Sequence, residues 1–142
     1  MSAIAEIQAD IIAEFSLLED WQERYRHIIE LGRTLPPYPE AFRTEEHLVR
    51  GCQSRVWLHP RFEGGLVHFD AASDALIVSG LVALLLRIFS GQPPEAIVKA
   101  EPDFIAAIGL SEHLSPNRSN GLFAMIRTMK AIAAQRQAAG AA

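Results

Sequence analysis

The chain has 142 residues, with 13 Lys and Arg against 17 Asp and Glu for a net charge of −4, and is 49% hydrophobic and 21% charged. That is the composition of an ordinary globular protein of one domain, residues 1–142, which buries about two-thirds of its unfolded surface and needs no disulfide or metal to do so. The mild acidity, without any run of Lys or Arg longer than two, argues against a nucleic-acid partner, and the single cysteine excludes an internal disulfide and Cys-rich zinc sites.

One cysteine fits a reduced, intracellular protein, so a cytoplasmic location is expected. Ile4, Ile7, Ile11, Phe15 and Leu18 recur at steps of three and four and predict an amphipathic helix over 3–18. Glu6 and Asp10 fall inside this pattern and no basic segment precedes it, which argues against a signal peptide. Asp20 and Glu23 have capping-box spacing and open a second helix with Trp21, Tyr25, Ile28 and Leu35 as its buried stripe. Pro36, Pro37 and Pro39 end that helix for want of amide donors. Residues 36–53 show no period and read as an exposed loop.

After this loop the period changes to two. Residues 54–62 and 66–70 flank Gly64-Gly65, a pair that supplies the positive φ of a tight turn, so an antiparallel hairpin is expected with Pro60 at an edge or strand end. A turn over 71–74 leads to a third predicted strand, 75–79. The apolar run 75–89 is shorter than the about 20 residues of a membrane span, and Ser79-Gly80 and Arg87 interrupt it. It therefore reads as that strand followed by a helix over 81–90, stopped by Gly91. Further helices are predicted over 94–100, opened by Pro93-Pro94, and over 103–108, between Pro102 and Gly109. A long one is predicted over 119–137, with a frayed tail behind it. The sum is an α+β fold: a three-stranded antiparallel sheet with helices packed on one face.

Cys52 carries the distinctive chemistry. It lies in Arg50-Gly51-Cys52-Gln53-Ser54-Arg55, where two arginines favour the thiolate and Gly51 opens the approach to sulfur. A lone cysteine is also a common small core residue. A Cys-His hydrolase needs an imidazole nearby, yet no spacing singles out His27, His47, His59, His68 or His113. A redox enzyme wants a resolving cysteine, and the chain has none. That lack suits a carrier, since a persulfide here has no second thiol in the chain to discharge it.

Gly51-Cys52-Gln53-Ser54-Arg55-Val56-Trp57 resembles the G-C-Q-S-x-V-W motif of the SufE family of sulfur acceptors. Ile28-Ile29-Glu30-Leu31-Gly32 with Leu35-Pro36, and Ser73-Asp74-Ala75 with Ile77-Val78 and Gly80-Leu81, are similar to that family's flanking elements. About 60 residues beyond Cys52, His113-Leu114-Ser115-Pro116-Asn117-Arg118-Ser119-Asn120-Gly121-Leu122 resembles its H-L-[ST]-P-x-R-x-x-G-L segment.

The resemblance implies a small α+β domain related to iron–sulfur scaffold proteins. It implies that Cys52 accepts persulfide sulfur from a cysteine desulfurase of the SufS or CsdA kind, stimulates that enzyme, and passes the sulfur to a scaffold. Pyridoxal phosphate then belongs to the desulfurase, no cofactor is bound by this chain, and the protein is an accessory rather than a stand-alone enzyme. Weak homodimers are a further implication. Gly51, Gln53, Ser54 and Arg55 become the supporting loop; Arg118, Asp74 and His113 become docking or transfer residues. Each has a plainer role available: Arg118 binding a carboxylate for structure, Asp74 in a turn, Gln53 and Ser54 capping the loop. Two other readings stand beside the carrier: a desulfurase-binding activator with an inert cysteine, and an independent thiol enzyme.

Overall fold

The computed structural model describes residues 3–141. The first helix, α1 (Ala3–Ser16), buries Ile4, Ile11 and Phe15. It leads to α2 (Trp21–Arg33), whose first turn is capped as its sequence predicts: the Glu23 amide donates to Asp20 Oδ1 at 2.9 Å, and the Glu19 amide to Glu23 Oε2 at 3.0 Å. The segment after α2 contains two 3₁₀ turns, Glu40–Phe42 and Glu45–His47. Strands β1 (Val56–Glu63) and β2 (Leu66–Ser73) form the expected hairpin, with φ of +60° and +79° at Gly64 and Gly65. Its register pairs Leu58 with Ala71 and Pro60 with Phe69, so Val56, Leu58, Val67, Phe69 and Ala71 share the core face. Pro60 is tolerated because β1 has an outer edge, where among the described residues only Leu48 bridges, opposite Trp57.

The third strand is not there. Residues 76–79, with those up to Phe89, form one helix, α3 (Leu76–Phe89), and the sheet has two strands among the described residues. Ile77 and Val78 favour a strand locally, but Val78, Leu81, Val82, Leu85, Ile88 and Phe89 are buried at helical spacing. Gly80, read as a break, is instead a point of contact. A Cβ on it would lie 2.0 Å from the Ile28 carbonyl oxygen, and one on Gly32 would lie 2.8 Å from the Gly80 nitrogen, so the two glycines let α2 and α3 cross in close contact.

Helices α4 (Pro94–Lys99) and α5 (Asp103–Ile108) fall where the prolines and Gly109 place them, and a further turn, α6 (Leu110–His113), follows. The last helix, α7 (Pro116–Ala141), begins earlier than predicted because Ser115 Oγ accepts the Arg118 amide at 3.3 Å and Pro116 suits a first helical position. It also runs through most of the tail expected to fray; Ala142 lies outside the described residues. The helices pack on the core face of the hairpin. The 36–50 segment covers the other face, where Phe42 stacks on His59 at 3.6 Å and the Arg43 guanidinium sits 4.7 Å above Trp57.

Candidate functional site

The loop carrying Cys52 is closed at both ends by backbone hydrogen bonds. The Val49 amide donates to the Val56 carbonyl at 2.8 Å. At the other end Arg55 is held three times: its amide donates to Asp74 Oδ1 at 3.1 Å, and its carbonyl accepts from Ser73 Oγ at 2.8 Å and from the Asp74 amide at 3.3 Å. Between these anchors the loop lies across α7. Gly51 permits this with φ of +93°, since a Cβ would be strained there and would press on Ala124 Cβ at 3.2 Å. The Cys52 thiol reaches Gly121 of α7 and donates to its carbonyl at 3.5 Å.

A cavity of about 290 Å³ opens beside this half-buried sulfur. Val78 of α3 and Met125 and Gly121 of α7 give it an apolar side. Gln53, Ser54, Ser115, Asn117 and Arg118 give it a polar rim. Arg118, Gly121 and Met125 reach one cavity because steps of three and four residues share a helix face. Among the described residues no histidine, carboxylate or second thiol lines it.

The thiol is not activated as the neighbouring arginines suggested. Burial pushes the Cys52 pKa up, and the cation that opposes this is Arg127 of α7 rather than Arg50 or Arg55. A thiol that donates to a carbonyl is also held in its neutral form. At rest, therefore, Cys52 is a shielded thiol beside a preformed space.

The residues matched by the SufE family model, described as an Fe-S metabolism associated domain, are 9–133. An uncharacterized SufE-like protein of Rhizobium meliloti is 47% identical over 131 residues, covering 89% of this chain and 94% of that protein. One of Rhizobium etli is 43% identical over 134 residues, covering 91% of this chain and 90% of that protein. The chain belongs to the SufE family. Its fold is similar to the solution structure of a hypothetical protein from Thermus thermophilus, with a TM-score of 0.75 at 27% identity over 91% of this chain and 94% of that one.

In this SufE-family chain the structure sorts the residues marked by sequence. It brings Cys52, Gln53, Ser54 and Arg118 to one cavity, with Gly51 holding the loop against α7. Asp74 and Arg55 pin the loop end to each other through backbone and carboxylate, so Asp74 positions rather than lines. His113 stands apart: its ring stacks on Trp21 at 4.1 Å and its carbonyl accepts from the Tyr25 hydroxyl. Sequence pattern alone misses Arg127 altogether and gives Val78 and Met125 only core roles. Their signal is helical phase: Arg127 follows Ala124 by three residues, on the face that the loop crosses.

Proposed function

We propose that this SufE-family protein is a sulfur acceptor in iron–sulfur metabolism, with Cys52 as its persulfide carrier. The Cys52 thiolate attacks the outer sulfur of a persulfide on a pyridoxal-phosphate cysteine desulfurase. A sulfur–sulfur bond forms at Cys52 as the donor's bond breaks, the donor leaves as a thiolate, and no outside oxidant is consumed. Clearing the donor stimulates the desulfurase, and a scaffold thiolate later removes the sulfur from Cys52 by the same exchange. The carrying observation is the cavity beside the one thiol, large enough for an added sulfur that no second thiol of the chain can discharge.

Gly51 lets the loop lie on α7, Asp74 and Arg55 hold its end, and Gln53, Ser54 and Arg118 face the added sulfur. The continuous core from Ile4 to Ala133 supports treating residues 1–142 as one unit. No described helix is long and apolar enough to cross a membrane. We place the protein in the cytoplasm, where thiols stay reduced.

The test is incubation with a cysteine desulfurase and cysteine, followed by intact mass. A gain of one sulfur atom in the wild type and none in Cys52→Ser is expected; no gain in the wild type counts against the reading. The half-buried thiol and its bond to Gly121 favour one rival, an activator with an inert cysteine. That rival predicts full desulfurase stimulation by Cys52→Ser, whereas the carrier reading predicts its loss. An independent Cys-His enzyme lacks support, since no histidine lines the cavity among the described residues.

A further inference from the structure

We infer that the cavity beside Cys52 also binds a small inorganic anion carrying a sulfane sulfur, of the thiosulfate kind, which loads the cysteine without a protein donor. The inference rests on the reading of Cys52 as a sulfur acceptor and adds a second source of sulfur to it. Volume is the first argument. One added sulfur takes on the order of a water molecule's share of the liquid, about 30 Å³, and a cavity of about 150 Å³ already admits a molecule as large as benzene. The space beside Cys52 is about 290 Å³. Ligand pockets begin near about 300 Å³, so this one has room for a small molecule besides the sulfur.

The lining selects the chemistry. Arg118 brings a guanidinium, Gln53 and Asn117 bring amide donors, and Ser54 and Ser115 bring hydroxyls. Among the described residues no carboxylate, histidine or lysine lines the cavity, so its one formal charge is positive. A site of one cation and several neutral donors favours an anion, and an oxyanion above all, because each oxygen can accept. An amino-acid persulfide fits less well, since its ammonium would find no carboxylate there. Val78, Met125 and Gly121 give the cavity its contrasting side, a wall for soft, weakly hydrated sulfur rather than for oxygen. Gly121 is also where the Cys52 thiol points, through its bond to that carbonyl. Thiosulfate joins the two characters, with a sulfonate end for the Arg118 rim and a bare sulfur for the thiol.

The step balances without an oxidant. Cys52 releases its proton to water, and the thiolate attacks the sulfane sulfur. A sulfur–sulfur bond forms at Cys52 as the bond to the sulfonate sulfur breaks, and sulfite leaves with the electron pair. Thiolate and thiosulfate are both anions. Their repulsion is offset by Arg118 at the rim and by the charge of Arg127, which favours the thiolate.

The experiment incubates the protein with thiosulfate, without a desulfurase, and follows intact mass and released sulfite. The wild type is expected to gain one sulfur atom and to release an equal amount of sulfite, and Cys52→Ser to do neither. The loading rate should saturate with thiosulfate and climb from about pH 7 to about pH 9 as the thiol ionises. Arg118→Gln should raise the half-saturating concentration about tenfold or more and leave the saturated rate within about threefold, with Arg118→Lys recovering part of the loss. Arg26→Gln, at an exposed arginine of α2 that does not line the cavity, should match the wild type. Binding is read separately in Cys52→Ser, where calorimetry should show thiosulfate bound, and bound about tenfold more weakly once Arg118→Gln is added.

No gain from thiosulfate in a protein that a desulfurase does load overturns the inference and leaves the acceptor reading intact. Loading by thiosulfate but by no desulfurase keeps the anion site and overturns the desulfurase as donor. Loading that never saturates, that is indifferent to Arg118, or that runs faster with cysteine persulfide than with thiosulfate overturns the anion site.

Discussion

At Cys52 two opposing influences meet, and burial outweighs the charge of Arg127. Free cysteine titrates near about 8.5, so the Cys52 thiol should react with iodoacetamide more slowly than free cysteine at pH 7. Its reaction should approach the free rate only at higher pH; an alkylation profile with a midpoint below that of free cysteine would contradict this. Arg127→Ala removes the opposing cation and should move the midpoint further up. Gly121 sets the other property of the sulfur, its room. A methyl on Gly121 would sit 3.5 Å from Sγ, an ordinary contact, so Gly121→Ala should fold. It should gain about 0.5–1 kcal/mol from helix propensity, read as a higher thermal midpoint. The same methyl narrows the space for an added sulfur, so persulfide loading should slow while stability rises. A variant that loads at the wild-type rate would separate Gly121 from the site.

Between elements, the crossing of α2 on α3 depends on two glycines. A Cβ on Gly80 meets backbone at 2.0 Å, and neither the Ile28 carbonyl nor the helix carrying it can give way cheaply. Gly80→Ala should therefore cost about 3 kcal/mol or more in chemical denaturation, beyond ordinary overpacking. Gly32→Ala, with its first contact at 2.8 Å, should cost less. A second joint ties α7 to α4. Lys130 Nζ donates to the carbonyls of Ile97 and Val98 at 3.1 and 3.0 Å and to that of Ala100, covering the acceptors that a helix C-terminus leaves open. Lys130→Met should lose about 1–3 kcal/mol, because those acceptors keep no partner from α7.

For the molecule as a whole, the shifted groups define a pH window of stability. Burial and the charge of Asp70 push Tyr38 up to about 12, and burial raises Cys52. Both have folded pKa values above their unfolded ones, so their contributions are complete at neutral pH and are lost as pH rises, first past about 8.5 for cysteine and then past about 10 for tyrosine. On the acid side, burial and the charge of His47 hold His59 below its ordinary 6.5. For Glu14, burial acts upward, but the hydrogen bond from His27 and the charge of Arg87 prevail and hold it below its ordinary 4.5. Stability from these two is present at neutral pH and is lost as pH falls through their folded values. The thermal midpoint should be highest between about pH 6.5 and about 8.5 and decline on both sides. A midpoint that keeps rising above pH 9 would contradict the assignments for Cys52 and Tyr38.

Much of this protein is determined by local chemistry, and that part is legible in the letters. Proline has no amide and glycine accepts positive φ, so the ends of α2, α4 and α5 and the Gly64-Gly65 turn are set within a few residues. The Cys52 and His113–Leu122 motifs likewise mark the family before any contact is known. What the letters leave open is whatever depends on a neighbour distant in sequence. Residues 76–79 have strand-like side chains, and only the α2 crossing at Gly80, together with one-sided burial through Phe89, makes them helix. The Cys52 pKa goes the same way: Arg50 and Arg55 are close in sequence, yet burial against α7 and the charge of Arg127, 75 positions away, decide it. Burial and electrostatics act through space, and chain order does not record which surfaces meet.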